Sequence, residues 1–111
     1  MRKIFEELAE NKCATASTLA IIAGKWKIII LQYIFDGDRH FNQLLLHLAP
    51  ITPHTLSQEL RELQEDNLLI KIQVINTLRT KYELTDKALE LKIILDEIRK
   101  FGEKYPYLQN K

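Results

Sequence analysis

Apolar positions recur along this chain with two periods. Up to about residue 66 they return every three or four residues, the spacing of one helix face. Beyond it they alternate with polar residues, as in a strand, before helical spacing resumes. Ile4, Phe5 and Leu8 fall on one side of a short helix over 3–10. A second helix is expected over Thr15–Ala23, with Leu19, Ile22 and Ala23 apolar; Gly24 marks the junction after it, because glycine accepts backbone angles that other residues resist. In Trp26–Phe35 the Ile28-Ile29-Ile30 run suits a strand by propensity, but the length and the spacing of 26, 29, 30, 33 and 34 favour a helix. Asp36-Gly37-Asp38 is a turn.

Two closely spaced helices follow. Phe41–Leu48 turns Phe41, Leu44, Leu45 and Leu48 inward and is broken by Ala49-Pro50-Ile51. Thr52 can cap the next helix, with Pro53 at the first helical position, where a missing N–H costs nothing. That helix runs to about Asp66 on an inward stripe of Leu56, Leu60 and Leu63, and Asn67 suits a left-handed cap. Leu69–Val74, alternating from Ile70, and Thr80–Leu84 read as two strands of a hairpin with a loose tip over 75–79. Thr85 caps a last helix whose apolar face is expected to begin with Leu89, Ile93 and Leu95 and to continue through Ile98 and Phe101. Gly102 and Pro106 weaken its end.

The order helix, short turn, helix, hairpin predicts a mainly α fold with a small β-hairpin: a winged helix-turn-helix, with residues 1–111 as one domain. Each part has a purpose in DNA recognition. A helix fits the major groove, where base edges carry distinct donor and acceptor patterns, and the preceding helix braces it across the backbone. Here 41–48 would brace, 52–66 would read, and Asn76–Arg79 would form the wing tip. With the leucine stripe turned inward, His54, Thr55, Ser57, Gln58 and Arg61 face outward. Gln can read adenine edges, Arg guanine, and Ser or Thr a phosphate; the helix start at Thr52 and Pro53 offers free N–H groups to a phosphate. Lys25, Arg39 and Arg79 complete the candidate DNA contacts. A polar face of this kind also occurs on any solvated helix, and Trp26 is expected to pack in the core beside Lys25.

Composition changes the picture in three places. Sixteen Lys and Arg against fifteen Asp and Glu leave a formal charge of +1, and five of each sign fall within 38–82, so strong non-specific attraction to nucleic acid does not follow. Glu59, Glu62, Glu65 and Asp66 lie on the reading helix itself. The single cysteine, Cys13, excludes an internal disulfide and, with no leader-like or membrane-length apolar run, fits a cytoplasmic protein. His40, His47 and His54 recur every seven residues, but Pro50 separates the last two and no cysteine pattern accompanies them, so no metal site is expected. No cofactor motif, no Ser-His-Asp order and no phosphate-cradling glycine loop appears, which argues against an enzyme. The terminal helices carry more apolar surface than one small core needs: Ile4, Phe5 and Leu8 in the first, Leu91, Ile94, Leu95, Ile98 and Phe101 in the last. They are the candidate dimerisation surface.

Four stretches together carry a specific resemblance: Cys13 with Leu19 and Ile22-Ala23-Gly24-Lys25-Trp26; Arg39-His40-Phe41-Asn42-Gln43-Leu44; Ile51 through Leu63; and Tyr82-Glu83-Leu84-Thr85. With these the chain resembles the HxlR-type winged-helix regulators, relatives of the MarR-like proteins, over residues 13–91. The resemblance implies a homodimeric regulator, repressor or activator, that binds operator DNA. It implies groove contacts at Thr52, His54, Thr55, Ser57, Gln58 and Arg61, a wing contact at Arg79, and pairing through the terminal helices. It also makes Cys13 a candidate sensor of oxidants or electrophiles, consistent with Lys12 before it and a helix start after it, both of which favour the reactive thiolate. Departures from the family pattern are Ala14 in place of a proline, His54 and Glu59 in place of basic residues, Thr77 and Leu78 where a wing proline is usual, and Ala88 for a glycine. The competing reading is a protein-interaction module that keeps the winged fold with little DNA affinity.

Overall fold

The computed structural model describes residues 2–10, 13–75 and 79–107. Lys12, Asn76, Thr77, Leu78 and the side chains of Ile4 and Leu8 lie outside the described residues. The elements run α1 (Arg2–Glu10), α2 (Ala14–Ile22), α3 (Lys27–Phe35), α4 (Phe41–His47), α5 (Pro53–Glu65), β1 (Leu69–Gln73), β2 (Thr80–Leu84) and α6 (Asp86–Lys104).

Local chemistry sets the boundaries. Thr52 is extended and its hydroxyl accepts the Thr55 N–H at 3.1 Å, with Pro53 opening α5. At the far end Asn67 adopts a left-handed φ of 60°, and the N–H of Leu68 reaches the Leu63 carbonyl at 2.9 Å. Thr85 then does two jobs. Its hydroxyl donates to the Asn67 carbonyl at 2.6 Å and accepts the Ala88 N–H at 3.1 Å, which ties the start of α6 to the end of α5. Gly24, at φ 121°, makes the turn between α2 and α3, a conformation that a side chain would strain.

The hairpin is antiparallel, with Leu69 opposite Leu84 and Lys71 opposite Tyr82. Directly paired residues share a face, so Leu69, Tyr82 and Leu84 point together toward the helices. The apolar alternation that starts at Ile70 marks the other face, where Ile70 is exposed. A single bridge pairs His40 with Lys81, and the Tyr82 N–H donates to the Arg39 carbonyl at 2.7 Å, so the segment before α4 is stitched to the wing.

One core joins these elements: Ile22 from α2, Ile30, Leu31 and Ile34 from α3, Leu44 and Leu48 around α4, the three leucines of α5, and Tyr82 from the wing. Trp26, expected within the core, packs against its edge and is only partly buried. The last helix differs from expectation. Its inward stripe is Ala88, Leu91 and Leu95, whereas Leu89 and Ile93 are exposed. Leu91 and Leu95, each 7% exposed, therefore belong to the subunit's own core and leave the candidate dimer surface; Ile94, Ile98 and Phe101 remain exposed on it, and Phe5 is half-buried. Among the described residues no single helix is long and apolar enough to cross a membrane.

Candidate nucleic-acid interface

The outer face of α5 follows from its leucine stripe. At about 3.6 residues per turn, positions 54, 58 and 61 fall opposite Leu56, Leu60 and Leu63. His54, Gln58 and Arg61 are accordingly exposed, with Ser57 beside them and Thr52 and Pro53 exposed at the helix start. Thr55 differs: it is half-buried, and its hydroxyl accepts from that of Thr52 at 2.9 Å, so it belongs to the cap. The peptide N–H groups of the first turn that remain open point outward from there, the arrangement that attracts an anion.

The wing and the bracing helix meet on the same side of the fold. The start of α4 (His40 through Gln43) and Arg79 with Thr80 line one cleft of about 160 Å³. The Arg79 carbonyl accepts from the Val74 N–H and from the Gln73 amide, each at 3.1 Å, which fixes the wing backbone while its side chain is exposed. Arg39 is half-buried before α4. Lys25 sits apart, in the α2–α3 junction, with its ammonium 5.0 Å from the Trp26 ring centroid.

Two acidic residues of α5, Glu59 and Glu62, occupy its flank, and Asp66 caps its end. Lys27, 3% exposed, bonds the Glu62 carboxylate and lies 3.3 Å from Glu59. Arg2 reaches from α1 to Asp66 at 3.2 Å and Glu62 at 3.8 Å, and donates to Glu6 at 2.8 Å. Burial works against the Arg2 charge, but the hydrogen bonds to Glu6 and Asp66 and the charges of Asp66 and Glu62 outweigh it and raise the guanidinium above its ordinary value. Three of the four carboxylates of this segment thus face internal cations, and Glu65 is the exposed one. Sequence reasoning missed Lys27 and Arg2 as their partners. A signal for Lys27 existed, since it stands three, four and seven residues before Ile30, Leu31 and Ile34, on the buried stripe of α3.

Cys13 is exposed and caps α2, its Sγ accepting the Ala16 N–H at 3.5 Å. The thiol is therefore on the surface and not packed in the core. His47 bonds Asp38 through Nδ1 and stacks on Tyr33 with centroids 6.0 Å apart, while His40 flanks α4 beside Gln43. Among the described residues no group of three or more His, Cys, Asp or Glu could hold a metal ion.

The sequence pattern of the HxlR-like helix-turn-helix family matches residues 21–110. The chain is 34% identical to the HTH-type transcriptional regulator YdeP of Bacillus subtilis, over 84% of this chain and 73% of that one. It is 38% identical to the HTH-type transcriptional regulator BH0655 of Halalkalibacterium halodurans, over 78% and 79%. Among solved structures, the redox regulator HypR in its reduced form superposes with a TM-score of 0.77 at 29% identity, covering 83% of this chain and 92% of that one. The matched region takes in α3 through α6 and both wing strands, the parts whose geometry is that of a winged helix. The chain belongs to the HxlR-like helix-turn-helix family, whose members are transcriptional regulators and not enzymes.

Proposed function

We propose that this protein is a homodimeric regulator that binds double-stranded DNA in a sequence-specific manner, with α5 in the major groove. The observation that carries this is the sorting of side chains around α5. His54, Gln58 and Arg61 are exposed on one face, while Glu59, Glu62 and Asp66 are drawn to Lys27 and Arg2 on the flank. Gln58 and Arg61 read base edges, Thr52 and Ser57 with the first-turn N–H groups hold phosphate, and Arg79 extends the contact from the wing. Arg39 and Lys25 add backbone contacts at the periphery. The charge balance of 38–82 favours a protein-interaction module, but that motive weakens once three of its carboxylates have cationic partners within the fold.

Cys13 is assigned the sensing role. Its thiol is exposed, it opens α2, and a structural relative is named a redox regulator. With no second cysteine in the chain, it reacts as a lone thiol or bridges to Cys13 of a second subunit. The test of the main reading is selection from a random duplex pool. A palindromic consensus would establish sequence reading and two-fold symmetry together, whereas a pool that never enriches would overturn the proposal.

A further inference from the structure

We infer that Lys27 is a positioning residue for DNA reading: from inside the fold it holds Glu59 and Glu62 on the inner flank of α5, away from the phosphates beside the groove. The inference rests on the DNA-binding proposal above. Lys27 is buried at the start of α3, under the flank of α5 that carries both carboxylates. An ammonium removed from water is stable only with anionic partners, and α5 supplies two. Their holds differ. Glu62 bonds Lys27 and also has Arg2 at 3.8 Å. The Oε2 of Glu59 is buried, lies 3.3 Å from the ammonium, and accepts no hydrogen bond among the described residues. Coulomb attraction to Lys27 is therefore what keeps that carboxylate inside.

Without the cation, a buried bare carboxylate is costly, and Glu59 relieves the cost by swinging outward. Glu59 lies about 100° round the helix from Gln58, on the side away from Ser57, so an outward turn brings its charge from the inner flank toward the Gln58 edge of the reading face. There it repels phosphate. The carboxylates of Glu59 and Glu62 would then act against binding, and one buried lysine keeps these two off the reading face.

The experiment compares wild type, Lys27→Met and the double variant Lys27→Met/Glu59→Gln, with melting by circular dichroism and affinity for a selected duplex by fluorescence anisotropy. Met keeps the length of the stem without the charge. Lys27→Met is expected to bind about tenfold more weakly at ~50 mM salt, with the gap narrowing to about threefold at ~200 mM as phosphate repulsion is screened. The double variant is expected within about threefold of wild type at both salt concentrations. A packing role alone would lower the melting temperature and leave any affinity loss indifferent to salt and unrelieved by Glu59→Gln; that result, or wild-type affinity in Lys27→Met, overturns the inference. Should Lys27→Met not fold, Lys27→Gln, whose neutral amide removes the charge that attracts Glu59 and keeps a polar group in the site, takes its place under the same criteria. Wild type binding no duplex above random DNA would sink the DNA-binding proposal, and this inference with it; the other failures leave that proposal standing.

Discussion

Two side chains on α5, Gln58 and Arg61, carry the donor and acceptor pattern that can tell one base pair from another. Gln58→Ala should weaken binding to the selected sequence more than to random duplex, by about 1–3 kcal/mol for a lost bidentate contact. Equal losses on both DNAs, in parallel titrations, would remove Gln58 from the reading set. Cys13 is tested as directly. Hydrogen peroxide takes two electrons from the thiolate sulfur: its O–O bond breaks, one oxygen joins the sulfur with its proton as the sulfenic acid, and the other leaves as hydroxide, which solvent protonates to water. Mild peroxide should therefore change the operator shift of wild type and leave Cys13→Ser unmoved, in one gel titration of both proteins. Residues whose role closes over a few positions were legible from sequence: Thr52, Asn67 and Thr85 each act on a neighbour within the next turn. Lys27 was not, because its partner Glu62 lies 35 residues away and lysine is by default a solvated residue.

At the scale of elements, the wing is the clearest test. Its backbone is pinned at both ends, by the Arg79 carbonyl on one side and by the Tyr82–Arg39 and His40–Lys81 links on the other. These links join the wing to the segment before α4, beside which Arg79 stands. Arg79→Ala is expected to reduce affinity on all sequences and to lower the slope of log affinity against log salt by about 1, the signature of one lost phosphate contact. An unchanged slope in a salt titration would take Arg79 off the phosphate contacts. The elements themselves followed from periodicity, since α5 has one narrow apolar stripe and β2 alternates cleanly. Periodicity failed on α6. Leu89, Leu91, Ile93, Ile94 and Leu95 put apolar groups on several faces, so spacing alone does not say which stripe enters the core. Contact with the rest of the fold selected Ala88, Leu91 and Leu95. The His40 bridge to the wing was equally hidden, because one residue pair has no period.

For the whole molecule, the open question is what covers the rest of α6. Ile94, Ile98, Phe101 and Tyr105 recur at spacings of four, three and four, and all are exposed, the phenylalanine at 66%. The Phe101 and Tyr105 rings meet on that stripe with centroids 5.3 Å apart, tilted by 50°. The subunit's core does not need these residues, since Ala88, Leu91 and Leu95 already close it on this side. A two-fold contact would bury the stripe against its own copy and set the two α5 helices about 34–36 Å apart, one turn of DNA. The predicted dimer is therefore separable from the fold. In sedimentation equilibrium at micromolar concentration, wild type should run as a dimer and Ile98→Glu as a monomer with unchanged far-UV circular dichroism. Ile98 is half exposed in the subunit, so the new carboxylate is tolerated there and costly only when a second copy desolvates it. The same variant should lose affinity for a palindrome far more than for a single half-site, because one subunit can grip only one half. Wild type sedimenting as a monomer would overturn the dimer. A dimeric Ile98→Glu would move the interface to α1 and the half-buried Phe5, whose contacts the substitution leaves intact.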